Sequence, residues 1–324
     1  MSDLRTFVRN ITIIKEEVFA DDWTTRPNPL SSSKGAKKFQ WLILLEFREL
    51  ARMMPDLQYE IIHTFVTGKM VAVVSKIGAT IGDVPRGFSD FPMFPGTDPK
   101  KLKGKSFNSM AIDIHILDNK EKISRTWHLE DWTLALDDML KTGRINVARF
   151  DWPFDDISAT LKKVPQCIYD FYDKILSDPN GGGQNNTLLR ATIHEDIVVR
   201  PGFSTFELTG ISGLRLITRF FGDVMPNIKY ERKKMLLHED MVVVLSKVSA
   251  TVTGVPQGGR KEFLPFPGIN PQDLSGKKFE TLSISVHNIV DGKIKQTYHI
   301  DAWQLAVDQM LTEGLWLDFG FDEL

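Results

Sequence analysis

Two stretches of this chain, FNSMAIDIHILDNKEKISRTWHLEDW over Phe107 to Trp132 and FETLSISVHNIVDGKIKQTYHIDAW over Phe279 to Trp303, carry one pattern about 171 residues apart. Each reads as a strand, a turn, a second strand ending in His-x-acid, and a Trp that opens a helix. A second pair of segments, Lys69 to Pro85 and Asp240 to Pro256, is identical at nine of seventeen positions without a gap, where unrelated sequences would match about once. The chain is therefore a tandem duplication. Its 324 residues, 42% of them hydrophobic, suffice for two cores of about 150 residues each, and the expected division is 1–146 and 147–324.

In chain order, Leu4 to Phe19 has helical spacing, closed by Asp21-Asp22 and the turn-rich TRPNPLSSSKG. Phe39 to Met54 predicts a second helix that Pro55 stops. Leu57 to Phe65 and Met70 to Thr80 predict an antiparallel hairpin around Thr67-Gly68-Lys69. The Pro/Gly-rich loop GDVPRGFSDFPMFPGTDPKKLKGK leads to the first copy of the opening hairpin and a helix from Trp132 to Leu140. The second half is expected to start with a helix from Ile157 to Leu176, kinked at Pro165. The loop SDPNGGGQNN reads as a mobile connection, and lying between two helices its glycines do not form a phosphate cradle. A helix from Gly213 to Val224 then echoes the one before Pro55.

Composition removes several function classes. With 40 basic and 42 acidic residues the formal charge is -2, which gives no basic field for nucleic acid or an anionic membrane. The single cysteine, Cys167, cannot form an intrachain disulfide and reads as packing; neither CxxC nor zinc-spaced His/Cys clusters occur. The first residues hold no apolar run of signal-peptide or membrane-span length, and the closing FDEL reads as a chance match to a retrieval tetrapeptide, so a cytoplasmic location is expected. No metal and no cofactor are expected, and the partner class is a hydrophobic small molecule.

Strand parity places the polar residues of the hairpin together. Leu282, Ile284 and Val286 alternate with Thr281, Ser283, Ser285 and His287. A three-residue turn, Val290-Asp291-Gly292, pairs Ser283 with His299 and Thr281 with Asp301, and keeps the faces consistent; a two-residue turn would set Ile284 opposite His299. His287, His299, Asp301, Ser283 and Thr281 then share one surface, as do His115, His128, Glu130, Asp113 and Ser109 in the first copy. A histidine beside a carboxylate suits proton abstraction from a carbon next to a carbonyl. Trp127, Trp132, Tyr298 and Trp303, at strand-helix junctions, are candidates for an aromatic substrate pocket or for core. His63, His194 and His238 read as surface or structural residues.

The runs MVVVLSKVSATVTG, FLPFPG and GKKFETLSISVHNIVDGKIKQTYHIDAWQLAVDQM, with VVSKIGATIG, FPMFPG, GKSFNSMAIDIHI and RTWHLEDWTLALDDML in the first copy, resemble the SnoaL-like polyketide cyclase family of the nuclear-transport-factor-2-type cone fold. The resemblance covers roughly 40–146 and 157–314. It implies an α+β protein of two tandem cone-shaped domains, each a curved antiparallel sheet with helices on one face, paired as an intramolecular pseudo-dimer; further homo-oligomerisation stays open. It also implies cofactor-independent cyclase or isomerase chemistry on a polyketide-like or terpenoid carbonyl substrate. The family pairs a strand histidine with an Asp on the next strand, which falls here on His287 with Asp301 and on His115 with Glu130. The first copy departs from this with Glu for Asp and a longer turn, and its Asp131 competes for the acid role where the second copy has Ala302.

Other readings stay open. The same fold hosts epoxide hydrolases, dehydratases and non-catalytic modules, so a pseudo-dimer that binds a hydrophobic molecule or a protein is the alternative. A histidine and an acid two apart on a strand can also form a plain interface hydrogen bond, if the polar face is the one between the halves.

Overall fold

The computed structural model describes residues 19–26, 51–83, 97–140, 161–201, 208–253 and 271–312. The first half forms a five-stranded sheet from β1 (Phe19–Arg26), β2 (Gln58–Thr67), β3 (Met70–Thr80), β4 (Ser106–Leu117) and β5 (Ile123–Glu130), ordered β1-β5-β4-β3-β2. The second half forms a six-stranded sheet from β6 (Ile193–Pro201), β7 (Leu208–Thr209), β8 (Lys229–His238), β9 (Met241–Thr251), β10 (Lys278–Val290) and β11 (Lys293–Asp301), ordered β7-β6-β11-β10-β9-β8. The helices are α1 (Trp132–Leu140), α2 (Gln166–Asp170), α3 (Asn186–Thr192), α4 (Gly210–Val224) and α5 (Trp303–Thr312). The fold is thus α+β with two tandem domains, and among the described residues no helix is long and apolar enough to cross a membrane.

Four expectations need correction. The sheets are mixed, because β1 runs parallel to β5 and β6 parallel to β11. Asp21 and Asp22 lie inside β1 and do not break the chain; each of these strands is hydrogen-bonded on one side only or carries just the short β7, so fewer positions must be apolar and the period-2 signal fades. Pro165 does not kink a helix but precedes one, with extended dihedrals at φ -76° and ψ 156°, as expected for a ring that lacks an N–H. The glycine loop after α2 is tied down: Asp178 accepts from the N–H groups of Gly181 and Gly182 at 3.1 and 2.9 Å. A Cβ on Gly182 would lie 1.6 Å from the Lys174 carbonyl oxygen, so only glycine fits there.

Residues 4–18, 39–50 and 157–160, the aromatic-proline loops, the 146/147 boundary and the C-terminal tetrapeptide fall outside the described residues. Residues 51–53 are helical and the helix has ended before Pro55, in line with the expected stop.

The hairpin of β10 and β11 has a different register from the one expected. Ser283 pairs with Asp301, Ser285 with His299 and His287 with Thr297, while Val290 pairs with Lys293 and Ile289 with Ile294. The turn is the two-residue Asp291-Gly292, both in the left-handed region at φ 48° and 73°, as a type I′ turn requires. That turn alone would put unlike faces opposite each other. A bulge between Asn288 and Ile289 on one side and Gln296 and Ile294 on the other inserts one residue and restores the parity. The net slip from expectation is two residues, so every side chain keeps its face. Nothing lies within 4 Å of a Cβ built on Gly292, so Gly292→Ala meets only left-handed backbone strain. It is expected to cost about 1 kcal/mol, read as a lower urea midpoint at unchanged slope; an unchanged midpoint would refute the turn assignment.

The apolar faces of the two sheets pack on each other. Phe65, Val74, Ile112, Ile114 and Trp127 from the first half meet Leu236, Val243, Leu282, Ile284, Tyr298 and Ile300 from the second in one buried cluster. This is the intramolecular pseudo-dimer. Each polar face therefore points away from the partner half. In the second half it looks into a domain core built from α2, α4, α5 and the inner sides of β8 to β10, including Phe171, Tyr172, Leu214, Phe221, Tyr230, Val242, Val244 and Trp303. Buried Leu214, Ile217, Phe221 and Val224 give α4 its apolar stripe.

Candidate acid-base site

The concave face of the second sheet gathers the candidates. Alternation on β10 sends Thr281, Ser283, Ser285 and His287 inward, all with zero exposure, and β11 adds Thr297, His299 and Asp301. His299 Nε2 lies 2.9 Å from Asp301 Oδ1 and 3.2 Å from Ser283 Oγ, and its Nδ1 lies 2.5 Å from Ser285 Oγ. A carboxylate only accepts, so Nε2–H donates to Asp301 and fixes the ring. Asp301 Oδ2 is buried and accepts no hydrogen bond among the described residues. A buried carboxylate oxygen without a donor costs about 1–3 kcal/mol, and a catalytic role, a strain reservoir or a bound water are the physical reasons such a group is kept.

His287 makes different contacts from those the family pairing implies. Its Nδ1 is 2.6 Å from Thr297 Oγ1 and its Nε2 is 2.9 Å from the Tyr172 hydroxyl, so Asp301 meets His299 and not His287. Burial first, and the neighbouring His299 second, push the His287 pKa down to about 3, which leaves it a neutral imidazole. Tyr172, on the wide helical turn Phe171–Leu176 that continues α2, has its phenol pKa raised by burial. Tyr230 on β8 packs edge-on against His299 with ring centroids 5.5 Å apart. Neither tyrosine was singled out from the sequence, because CIYDFYDKIL reads as an ordinary amphipathic helix. A usable signal existed for Tyr230: the duplication aligns it with Tyr59.

The first half holds the same positions with different chemistry. His128 Nδ1 is 2.6 Å from Asp113 Oδ1 and its Nε2 is 3.2 Å from Glu130 Oε1, while Tyr59 donates to Glu130. Burial opposes a charge on His128, but the two carboxylates outweigh it and raise its pKa well above the usual range. Burial likewise opposes the charge on Asp113, and His128 overcomes it and lowers the Asp113 pKa. His115 is hydrogen-bonded to Thr126 at 2.9 Å, and burial lowers its pKa. The set is a closed ion network, and His128 meets Glu130 where the implied pairing had His115.

Several candidates lie elsewhere. Asp131 caps α1, accepting from Leu134 N–H at 3.0 Å, and takes a hydrogen bond from Tyr298 of the other half at 3.1 Å. Tyr298 and Trp127 are sealed between the sheets, on the face opposite the histidines. Trp132 belongs to the first domain core and Trp303 to the second, against Phe279 and Phe221; these four aromatics do not line a shared pocket. Thr281 donates to Ala302 O at 2.7 Å, as Ser109 does to Asp131 O at 2.5 Å, and both bonds fix the strand end. Outside the site, His194 and His238 bond the carbonyls of Val290 and Val66, and burial raises the Cys167 thiol to about 11. Among the described residues no cluster could hold a metal ion.

Over about 45% of its length the chain is similar to SnoaL-like polyketide cyclases. A protein from Jannaschia sp. CCS1 assigned to the SnoaL-like polyketide cyclases is 16% identical, with 46% of this chain and 91% of that one covered at a TM-score of 0.36. IdmH from Streptomyces antibioticus, assigned as a polyketide cyclase, is 18% identical over 45% of this chain and 96% of its own, at 0.34. An LEH-like epoxide hydrolase from M. tuberculosis is 12% identical over 46% and 90%, at 0.32. No protein-family model matches the chain, and no curated protein does. At these identities and scores, similarity to SnoaL-like cyclases carries nothing about activity.

Proposed function

We propose that the second half of the chain is a cofactor-independent acid-base site that removes a proton from a carbon next to a carbonyl of a hydrophobic substrate, as a cyclase or isomerase does. The observation that carries this reading is Asp301: one carboxylate oxygen is held by His299 while the other is buried and unpartnered. In the reaction Asp301 Oδ2 takes the proton, and the electron pair left on carbon delocalises onto the carbonyl oxygen. For an isomerase the proton returns to a different carbon of the same framework. For a cyclase the enolate carbon forms a C–C bond to a second carbonyl, whose oxygen takes the proton from Asp301. His299 holds the carboxylate in place, and the serines hold His299.

The test is exchange of the α-hydrogens of 2-tetralone for deuterium in D2O, followed by NMR. Catalysed exchange by the intact protein is expected, and exchange at the buffer rate would end the reading.

The first half supports a structural role. His128, kept charged between two carboxylates, has no free lone pair with which to act as a base, and both of its partners are occupied. His128→Gln is expected to leave exchange within about twofold of the parent while lowering the unfolding midpoint, since breaking a partly buried ion network costs about 1–3 kcal/mol. A loss of exchange comparable with that of a change at Asp301 would place a second active site in this half.

A further inference from the structure

The two halves treat one tyrosine differently. Tyr59 on β2 and Tyr230 on β8 occupy equivalent places: Tyr59 pairs with Ile77, which pairs with Ser109, and Tyr230 pairs with Val248, which pairs with Thr281. Their acidic partners are equivalent too, Glu130 opposite Ala111 and Asp301 opposite Ser283. In the first half the Tyr59 hydroxyl donates to Glu130. In the second half the acid is one methylene shorter, and the hydrogen bond is missing. The Tyr230 side chain makes no hydrogen bond among the described residues, its backbone N–H being bonded to Ser177, and Asp301 Oδ2 is unpartnered. Both residues are only 3% exposed. The donor and the acceptor equivalent to a bonded pair in the first half are thus not bonded to each other in the second, where Tyr230 packs with its ring centroid 5.5 Å from that of His299, the residue that holds Asp301.

We propose that Tyr230 is a catalytic residue of the second half, whose hydroxyl donates a hydrogen bond to the substrate oxygen that becomes negative as Asp301 removes the neighbouring proton. With the shorter acid, the donor and the acceptor are both left to the substrate. The fitting substrate class is a ketone or β-dicarbonyl compound whose enolate oxygen reaches Tyr230 while its acidic carbon faces Asp301 Oδ2. No proton leaves Tyr230. Burial first, then Asp301 and Tyr172, raise its phenol pKa well above the usual range, so it stays a donor at ordinary pH. Other hydroxyls of the site are less suited. Tyr172 is bonded to His287, while Ser283 and Ser285 are bonded to His299.

This inference rests on the proton-abstraction reading, and its test separates the two. Tyr230→Phe removes an oxygen that bonds nothing among the described residues, so folding should be unaffected. Its kcat for 2-tetralone exchange should fall about 10²- to 10³-fold, the usual loss of one oxyanion donor, with KM within about threefold. Tyr59→Phe should leave kcat unchanged. Exchange by Tyr230→Phe at the parent rate, with Asp301→Asn inactive, would overturn the role of Tyr230 and keep the function. If the parent protein catalyses no exchange, fluorescence titration with 2-naphthol, which presents the same oxygen, still decides: at least tenfold weaker binding by Tyr230→Phe supports the site, and equal affinity or no binding to either protein overturns it.

Discussion

Asp301→Asn is expected to reduce α-proton exchange by about 10²- to 10⁴-fold, the usual contribution of a positioned base. The amide keeps the shape of the carboxylate and an oxygen that can accept from His299 Nε2–H, so the ring remains fixed; what is lost is the basic Oδ2, which has no donor among the described residues. KM should change little, because substrate recognition lies with the surrounding side chains. His299→Gln should give a smaller loss: it removes the group that orients Asp301 and leaves the base in place. Equal losses in the two variants would shift the base from Asp301 to His299. Full activity in both, with intact folding, would remove the pair from the mechanism.

The second large effect concerns stability between the halves. Asp131 sits in the interface under Tyr298, and burial, with Asp301 adding repulsion, pushes its pKa up to about 8 against the helix N–H and the tyrosine that favour its charge. The unfolded chain holds this carboxyl near the ordinary 3.8. The folded state therefore binds the extra proton between about pH 4 and pH 8, and the stability linked to Asp131 falls as pH rises through that window. A shift of that size corresponds to as much as about 6 kcal/mol.

Asn at position 131 keeps the cap on Leu134 and a polar contact with Tyr298, and it carries no charge. Asp131→Asn is thus expected to match the parent near pH 4 and to unfold about 5 °C or more higher at pH 8.5. His287 acts in the opposite sense, because its depressed pKa means that stability is lost as pH falls below about 6.5. The difference between the two proteins isolates Asp131. Parallel melting curves across pH 4 to 8.5 would show that the carboxylate is ionised in the folded protein.

The sheet faces were readable from the alternation of LSISVH and TYHID, because period-2 patterning survives any slip of two residues. The register was not. It depends on a left-handed Asp291 and a bulge near Lys295, and neither leaves a mark in the pattern of polar and apolar residues. The constellation of His299, Asp301 and Ser283 was legible for the same reason as the faces. The contacts of His287 were not, since Tyr172, which bonds it, comes from a helix 115 positions away along the chain. Trp127 and Tyr298 stay open between pocket and core in the sequence, because a Trp or Tyr flanking a polar position fits both, and the structure places them in the core between the sheets. The strand character of FADDWTTR was masked by two charged residues on an edge that the sheet tolerates.

On the proposed function, the second half does the chemistry through Asp301, and the first half keeps the equivalent positions closed on themselves. The most direct measurement is 2-tetralone exchange by Glu130→Gln and Asp301→Asn side by side, each shown by circular dichroism to be folded. Exchange near the parent level in Glu130→Gln and near the buffer rate in Asp301→Asn is the predicted result. The reverse, or equal loss in both, would contradict it.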